Sequence, residues 1–183
     1  MLSAGWLVLA VILAILITAW VFSTLTRLDR LHARVDAAQA ALDAQLVRRA
    51  VALQHVSGAQ VLPAELADRS WAAAELALAR SGAGPDRQVA ENQVGRAITE
   101  LAGYRHRLPS AAAEELAEGA TRVLIARRFY NDAVRDTRTL RARRMPRLLH
   151  LAGRRELPLY FDIDDSSSFA ASAGPDSAST DNR

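Results

Sequence analysis

The sequence predicts an all-α protein, in which an N-terminal transmembrane helix continues into an up-down-up-down helical bundle. Three observations support this prediction. The chain begins with a long apolar stretch, and its first charged residue is Arg27. Beyond that stretch, apolar residues recur at steps of three and four, the spacing of an amphipathic helix. Only residues 157–163 suggest the two-residue alternation of a β-strand.

The first helix begins in the membrane anchor. Residues 2–22 carry no charge, and roughly 20 apolar residues in a helix are enough to cross a bilayer core. A cleaved signal peptide is the alternative, but it has a shorter apolar run followed by a small-residue cleavage site. The flank richer in Arg or Lys normally stays in the cytoplasm, and here Arg27, Arg30 and Arg34 follow the span while none precedes it. We therefore expect a cell-membrane protein with its N-terminus outside and its bundle in the cytoplasm.

Four helices are expected in the bundle. The first extends the anchor, since no Gly or Pro interrupts the chain between Trp6 and Ser57. The second covers about residues 63–80, and the third runs to about Arg105 from an N-cap at Asp86. The fourth covers about residues 111–145, where Pro146 stops it.

These helices divide the chain into three predicted regions. Residues 1–23 form the anchor, and residues 24–163 form the bundle with a C-terminal basic and aromatic segment. Residues 164–183 are rich in Ser, Ala, Asp and Gly, so they are expected to be disordered.

The composition gives little sign of chemistry. The chain has 23 arginines, no lysine and 20 acidic residues, so its net charge of +3 is only a weak argument for nucleic acid. With no cysteine, it has neither disulfides nor thiolate metal sites. Its four histidines are scattered, and no Glu is followed by a His three residues later, as a di-iron bundle requires. We predict no catalytic residue, no cofactor and no bound metal.

Two stretches carry a family resemblance. The first combines residues 25–36, Leu-Thr-Arg-Leu-Asp-Arg-Leu-His-Ala-Arg-Val-Asp, with residues 42–49, Leu-Asp-Ala-Gln-Leu-Val-Arg-Arg. The second combines residues 126–136, Ala-Arg-Arg-Phe-Tyr-Asn-Asp-Ala-Val-Arg-Asp, with residues 157–164, Leu-Pro-Leu-Tyr-Phe-Asp-Ile-Asp. With the anchor and an Ala-Glu-Asn triplet at residues 90–92, this order resembles the LemA family of bacterial membrane proteins. The resemblance implies a helical bundle exposed on one side of the membrane, and it supplies no biochemical activity.

The chain also departs from the family pattern. Residues 52–55 replace the Pro-Asn pair that usually follows the double arginine, and the segment between Tyr104 and Arg127 is shortened. Thr137 and Arg138 replace a second Tyr-Asn pair.

Tyr130 and Asn131 have two interpretations. In the first, Tyr130 packs into the bundle and its polar neighbours decorate the surface. In the second, Tyr130 and Asn131 form a polar latch or a partner surface, because buried Tyr and Asn side chains need hydrogen-bond partners.

Arginines also cluster at the end of the fourth helix and just after it. An even number of antiparallel crossings returns the chain to the membrane, so these arginines are expected to meet anionic lipid headgroups. A solvated helix end is the alternative, and nucleic acid is disfavoured because no stacking aromatics are interleaved. The residues of this basic segment are Arg141, Arg143, Arg144, Arg147, Arg154 and Arg155.

The function predicted from the sequence is that of a non-catalytic scaffold or adaptor. Its expected partners are the lipid bilayer and an unidentified membrane protein, with no nucleic acid. A sensor or regulator of a membrane enzyme, such as a protease, is the main alternative. An enzyme with an unrecognised site is the third hypothesis.

Overall fold

The computed structural model describes residues 2–142 and 156–164, and within them the predicted all-α fold is confirmed. Helix α1 spans Leu2–Gly58, α2 spans Ala64–Leu78, α3 spans Pro85–Leu101 and α4 spans Ser110–Arg141, in up-down order. A 3₁₀ helix, Ala102–Arg107, joins α3 to α4. These described residues form no β-strand. The expected disordered tail and the last predicted turn of the fourth helix lie outside them.

Two helix ends differ from the sequence prediction. Asp86 was expected to be the N-cap of α3, but Gly84 is the N-cap residue and Pro85 takes the first helical position. Proline suits that position because its missing N–H has no partner there in any helix. Asp86 falls in the first turn, where its charge favours the positive end of the helix dipole. At its other end α3 tightens into the 3₁₀ helix instead of running on to Arg105.

The chain divides into two compact units. The first comprises Met1–Ala37 and Asp132–Pro158, and the second comprises Ala38–Asn131 and Leu159–Arg183.

In the first unit, α1 starts with side chains that no other described part of the chain covers. Leu7, Ile15 and Phe22 are each more than 60% exposed. In the described part of the chain, α1 alone is long and apolar enough to span a membrane. Such exposure of apolar side chains is costly in water, and it is the arrangement expected of a segment that lies among lipid tails.

The rest of the first unit is an antiparallel pair formed by the next turns of α1 and the last turns of α4. Leu28 and Val35 are buried on α1, and Val134 and Leu140 are buried on α4. Arg34 Nη1 lies 3.1 Å from Asp136 Oδ2 at the exposed edge of this pair. An exposed ion pair of this kind contributes only about 0–1 kcal/mol, so the apolar side chains provide most of the packing energy.

The second unit contains the main apolar core. Every helix contributes to it, and its large members are almost free of solvent contact. Most of these positions belong to the sets of apolar residues that recur at steps of three and four in the sequence. They are Leu42, Leu46, Leu53 and Val56 of α1, Leu66 of α2, Val94, Ile98 and Leu101 of α3, and Leu116, Val123 and Tyr130 of α4.

Candidate functional site

The candidate site lies in the second unit, where an extended C-terminal segment lies against α3 and α4. We call residues 159–164 of this segment the strap. It has neither helical nor strand structure. Phe161 is fully buried and Ile163 is 6% exposed, whereas the side chain of Asp162 between them is 92% exposed. In an extended chain alternate side chains point the same way, so the strap inserts two apolar anchors into the unit.

Asn131 holds the main chain of the first anchor. Its Nδ2 donates to the carbonyl oxygen of Phe161 at 3.0 Å, and its Oδ1 accepts from the Phe161 amide at 2.9 Å. An amide side chain offers both a donor and an acceptor, so a single Asn satisfies both backbone groups of one residue. An apolar residue at position 131 would leave both groups without this partner.

Tyr130 holds a carbonyl two residues earlier in the strap. Its hydroxyl donates to the carbonyl oxygen of Leu159 at 2.8 Å, while the residue as a whole is 1% exposed. Burial, and to a smaller extent the negative charge of Asp43, raises the pKa of Tyr130 above its ordinary value near 10. The phenol therefore stays protonated, and able to donate, across the neutral range.

Helix α3 and a neighbouring arginine complete the contacts. Gln88 Nε2 donates to the carbonyl oxygen of Tyr160 at 3.1 Å, and Asn92 Oδ1 accepts from the Asp164 amide at 2.8 Å. Arg127 Nη1 donates to the carbonyl oxygen of Ile163 at 3.2 Å. All these bonds reach the main chain of the strap, so α3 and α4 recognise its extended backbone.

The two residues that the sequence singled out therefore act on the same segment. Tyr130 packs inward, as the first interpretation requires, and with Asn131 it hydrogen-bonds the strap, as a latch does. A role for them as a surface for another protein stays a prediction. From the sequence, Gln88 had no role and Asn92 had only a place in the Ala-Glu-Asn triplet at residues 90–92. Polar residues on a helix surface look alike until a neighbour is placed beside them.

The start of the basic segment is visible in the first unit. Arg141 Nη1 donates to the carbonyl oxygen of Glu156 at 3.1 Å, and Arg138 Nη1 donates to that of Pro158 at 3.1 Å. The last turns of α4 and the turns of α1 just after the apolar segment enclose a cavity of about 340 Å³. It is lined by Arg27, Leu31, Arg34, Asp136, Thr139 and Leu140.

This antiparallel pairing puts the end of α4 beside Arg27, which follows the apolar segment closely along α1. The location suits the predicted contact of the basic segment with headgroups. Its other members, Arg143, Arg144, Arg147, Arg154 and Arg155, lie outside the described residues, so that contact stays a prediction.

A buried charge cluster is the feature that the sequence analysis missed. Arg49 Nη2 of α1 donates to Glu91 Oε2 of α3 at 2.7 Å, and the two side chains are 6% and 0% exposed. Arg87 Nε lies 2.9 Å from Glu91 Oε1 and forms an ion pair with it, although the geometry is not that of a hydrogen bond. The cluster of two arginines and one glutamate therefore has a formal charge of +1. Only the four-residue step from Arg87 to Glu91 is visible in the sequence.

Arg87 also joins α3 to the end of α2. Arg87 Nη1 donates to the carbonyl oxygen of Ala77 at 2.7 Å and also to that of Arg80. Both carbonyls lie at or just beyond the C-terminal end of α2, and that of Ala77 also accepts from the Arg80 amide at 3.1 Å. Gly119 of α4 lies close by, since a Cβ atom built on it would be 3.6 Å from the Cα of Arg49. The cluster is thus a structural connection among α1, α2 and α3.

Among the residues with described positions, no three His, Asp or Glu side chains come together as a metal site would need.

A surface groove of about 580 Å³ lies in the second unit, and the apolar side chains of Phe129 and Ile125 are exposed in it.

Comparison with protein-family models, with curated proteins and with solved structures gave no match for this chain.

Proposed function

We propose that the chain is a LemA-like, single-pass protein of the bacterial cell membrane that acts as a non-catalytic scaffold or adaptor. In this proposal its N-terminus lies outside and its bundle lies in the cytoplasm. The observation that carries the proposal is the latch, in which Tyr130 and Asn131 bind a peptide main chain. The most distinctive stretch of the sequence is thus used for holding a polypeptide.

Two observations support the membrane location. The apolar segment of α1 is uncovered, and α1 continues from it to Gly58 as one helix. The orientation rests on Arg27, Arg30 and Arg34, which follow the span on one side only. Lipid headgroups are then the expected partner of the basic segment.

The latch also favours a second function, that of a sensor or regulator of a membrane enzyme. The strap is held by single side-chain hydrogen bonds and two apolar side chains, and a short segment held in this way opens more readily than a helical core. Release of the strap would then change which partner the bundle holds.

Crosslinking in native membranes tests the scaffold proposal. The tagged full chain is crosslinked, solubilised and analysed by quantitative mass spectrometry. A matched control carries residues 1–23 fused to an unrelated soluble domain, so that it shares the anchor and lacks the bundle. We expect the full chain to recover a few proteins in a fixed ratio that the control does not recover. Identical sets of recovered proteins would contradict the proposal, and a set that changes with growth conditions would favour the sensor.

A further inference from the structure

We propose that the surface of α3 and α4 beneath the strap is a binding site for an extended peptide, which the chain's own strap occupies in cis. The partner is a protein segment that places an aromatic and a branched aliphatic side chain two residues apart. This inference rests on the proposed scaffold function, because it names the kind of segment that the scaffold would hold.

The first argument is that the site recognises the main chain. Asn131 binds both the N–H and the C=O of one strap residue, Gln88 binds a carbonyl, and Asn92 binds an amide. Main-chain groups are the same in every peptide, so any extended segment in the same register satisfies these side chains. Main-chain bonds of this kind provide affinity for extended peptides, and pockets for alternate side chains provide selectivity.

The second argument is that the site selects two side chains. Phe161 and Ile163 are buried, whereas Tyr160 is 45% exposed and the side chain of Asp162 is 92% exposed. A ligand therefore needs an aromatic residue and a branched aliphatic residue, with one residue between them. The middle residue points to solvent, where the carboxylate of Asp162 lies 3.8 Å from Arg127 Nη1.

The third argument concerns competition. Because the strap is part of the same chain, its effective concentration at the site is of the order of millimolar. A free peptide binds only the fraction of molecules whose strap has left, and its apparent affinity falls by that fraction. Weakening the strap therefore strengthens binding in trans.

The test measures binding of a fluorescent peptide that copies residues 157–164 to the full chain in detergent micelles, by anisotropy. One variant combines Phe161→Ala and Ile163→Ala, which removes the two anchors of the strap and leaves the site intact. We expect it to bind the peptide about 10–100-fold more tightly than the unmodified chain. Adding Asn131→Ala to this variant should abolish the gain, because the amide that holds the peptide main chain is then missing.

Controls separate the site from a general apolar surface. A peptide with Ala at both anchor positions should not bind any variant. Circular dichroism checks that each variant stays helical. If the double substitution lowers helicity, Phe161→Leu replaces it, and a gain of at least several-fold is then expected. A folded variant with a weakened strap that binds the peptide no better than the unmodified chain would overturn the inference.

The result is separable from that of the scaffold test. Loss of peptide binding, with crosslinked partners unchanged, would remove this site and leave the scaffold proposal standing. Peptide binding without any specific crosslinked partner would leave this site standing and remove the scaffold proposal.

Discussion

Removing the buried carboxylate of Glu91 should destabilise the second unit far more than removing an exposed one on the same helix. The change Glu91→Gln keeps the shape of the side chain and removes its charge. The cluster charge then rises from +1 to +2, with Arg49 and Arg87 only 5% and 2% exposed. Removing one partner of a buried ion pair typically costs about 3–5 kcal/mol, because the remaining charge stays in a region without water.

The matched control is Glu100→Gln. Glu100 also lies on α3 and pairs with Arg69 at 3.2 Å, but its side chain is 53% exposed. The expected cost is about 0–1 kcal/mol, since water screens both charges before and after the change. At about 2–4 °C per kcal/mol for a chain of this size, Glu91→Gln should lower the melting temperature by about 6–20 °C and the control by less than about 4 °C.

The measurement is thermal unfolding of the full chain in detergent micelles, followed by circular dichroism at 222 nm. A third variant combines Arg49→Met, Arg87→Met and Glu91→Leu, and it should regain part of the lost stability because no unpaired charge remains. If Glu91→Gln and Glu100→Gln shift the melting temperature equally, the cluster is not a buried charge network and the reasoning is wrong.

Three further predictions concern the latch and the membrane. The raised pKa of Tyr130 means that its phenol binds a proton more tightly in the folded state than in the unfolded state. The protonated phenol therefore contributes fully to the free energy of unfolding below about pH 10, and this contribution is lost as the pH rises through the folded-state pKa. Urea titrations should therefore show a smaller alkaline loss of stability in Tyr130→Phe than in the unmodified chain, and equal losses would contradict this assignment. A chain beginning at Thr24 should bind anionic liposomes better than neutral ones, and high salt should reduce the difference. Replacing the six arginines of the basic segment with Gln should remove it. Equal binding of the chain with all six arginines to both kinds of liposome would refute the contact. Single cysteines, placed at Ser3 or in residues 165–183 of this cysteine-free chain, should react with an impermeant reagent on intact cells only at Ser3, and labelling of the C-terminal residues alone would reverse the proposed topology.

The sequence alone was sufficient to predict the helices and the apolar face of each. Leu42, Leu46 and Leu53 follow one another at helical spacing, and the structure buries all three. Such predictions succeed because the period of a helix is a local property, fixed by backbone geometry that is the same in every helix. The apolar segment before Arg27 is equally local, since the thickness of a bilayer sets the length that is needed.

The buried charge cluster could be found only from the tertiary structure. Arg49 and Glu91 look like ordinary surface residues in the sequence, and 42 positions separate them. They form a buried pair only because α1 and α3 pack together.

The strap shows the same division. Its apolar alternation was visible at residues 157–163 and suggested a strand, yet the described chain offers it no neighbouring strand. Its main-chain groups bind the side chains of Asn131, Gln88 and Asn92 instead. Local spacing therefore determined the helices, their apolar faces and the apolar segment long enough to span a membrane, because these depend only on nearby residues. Only the packing of α3 and α4 decided which polar side chains meet the strap, because those contacts join residues that are far apart in the chain.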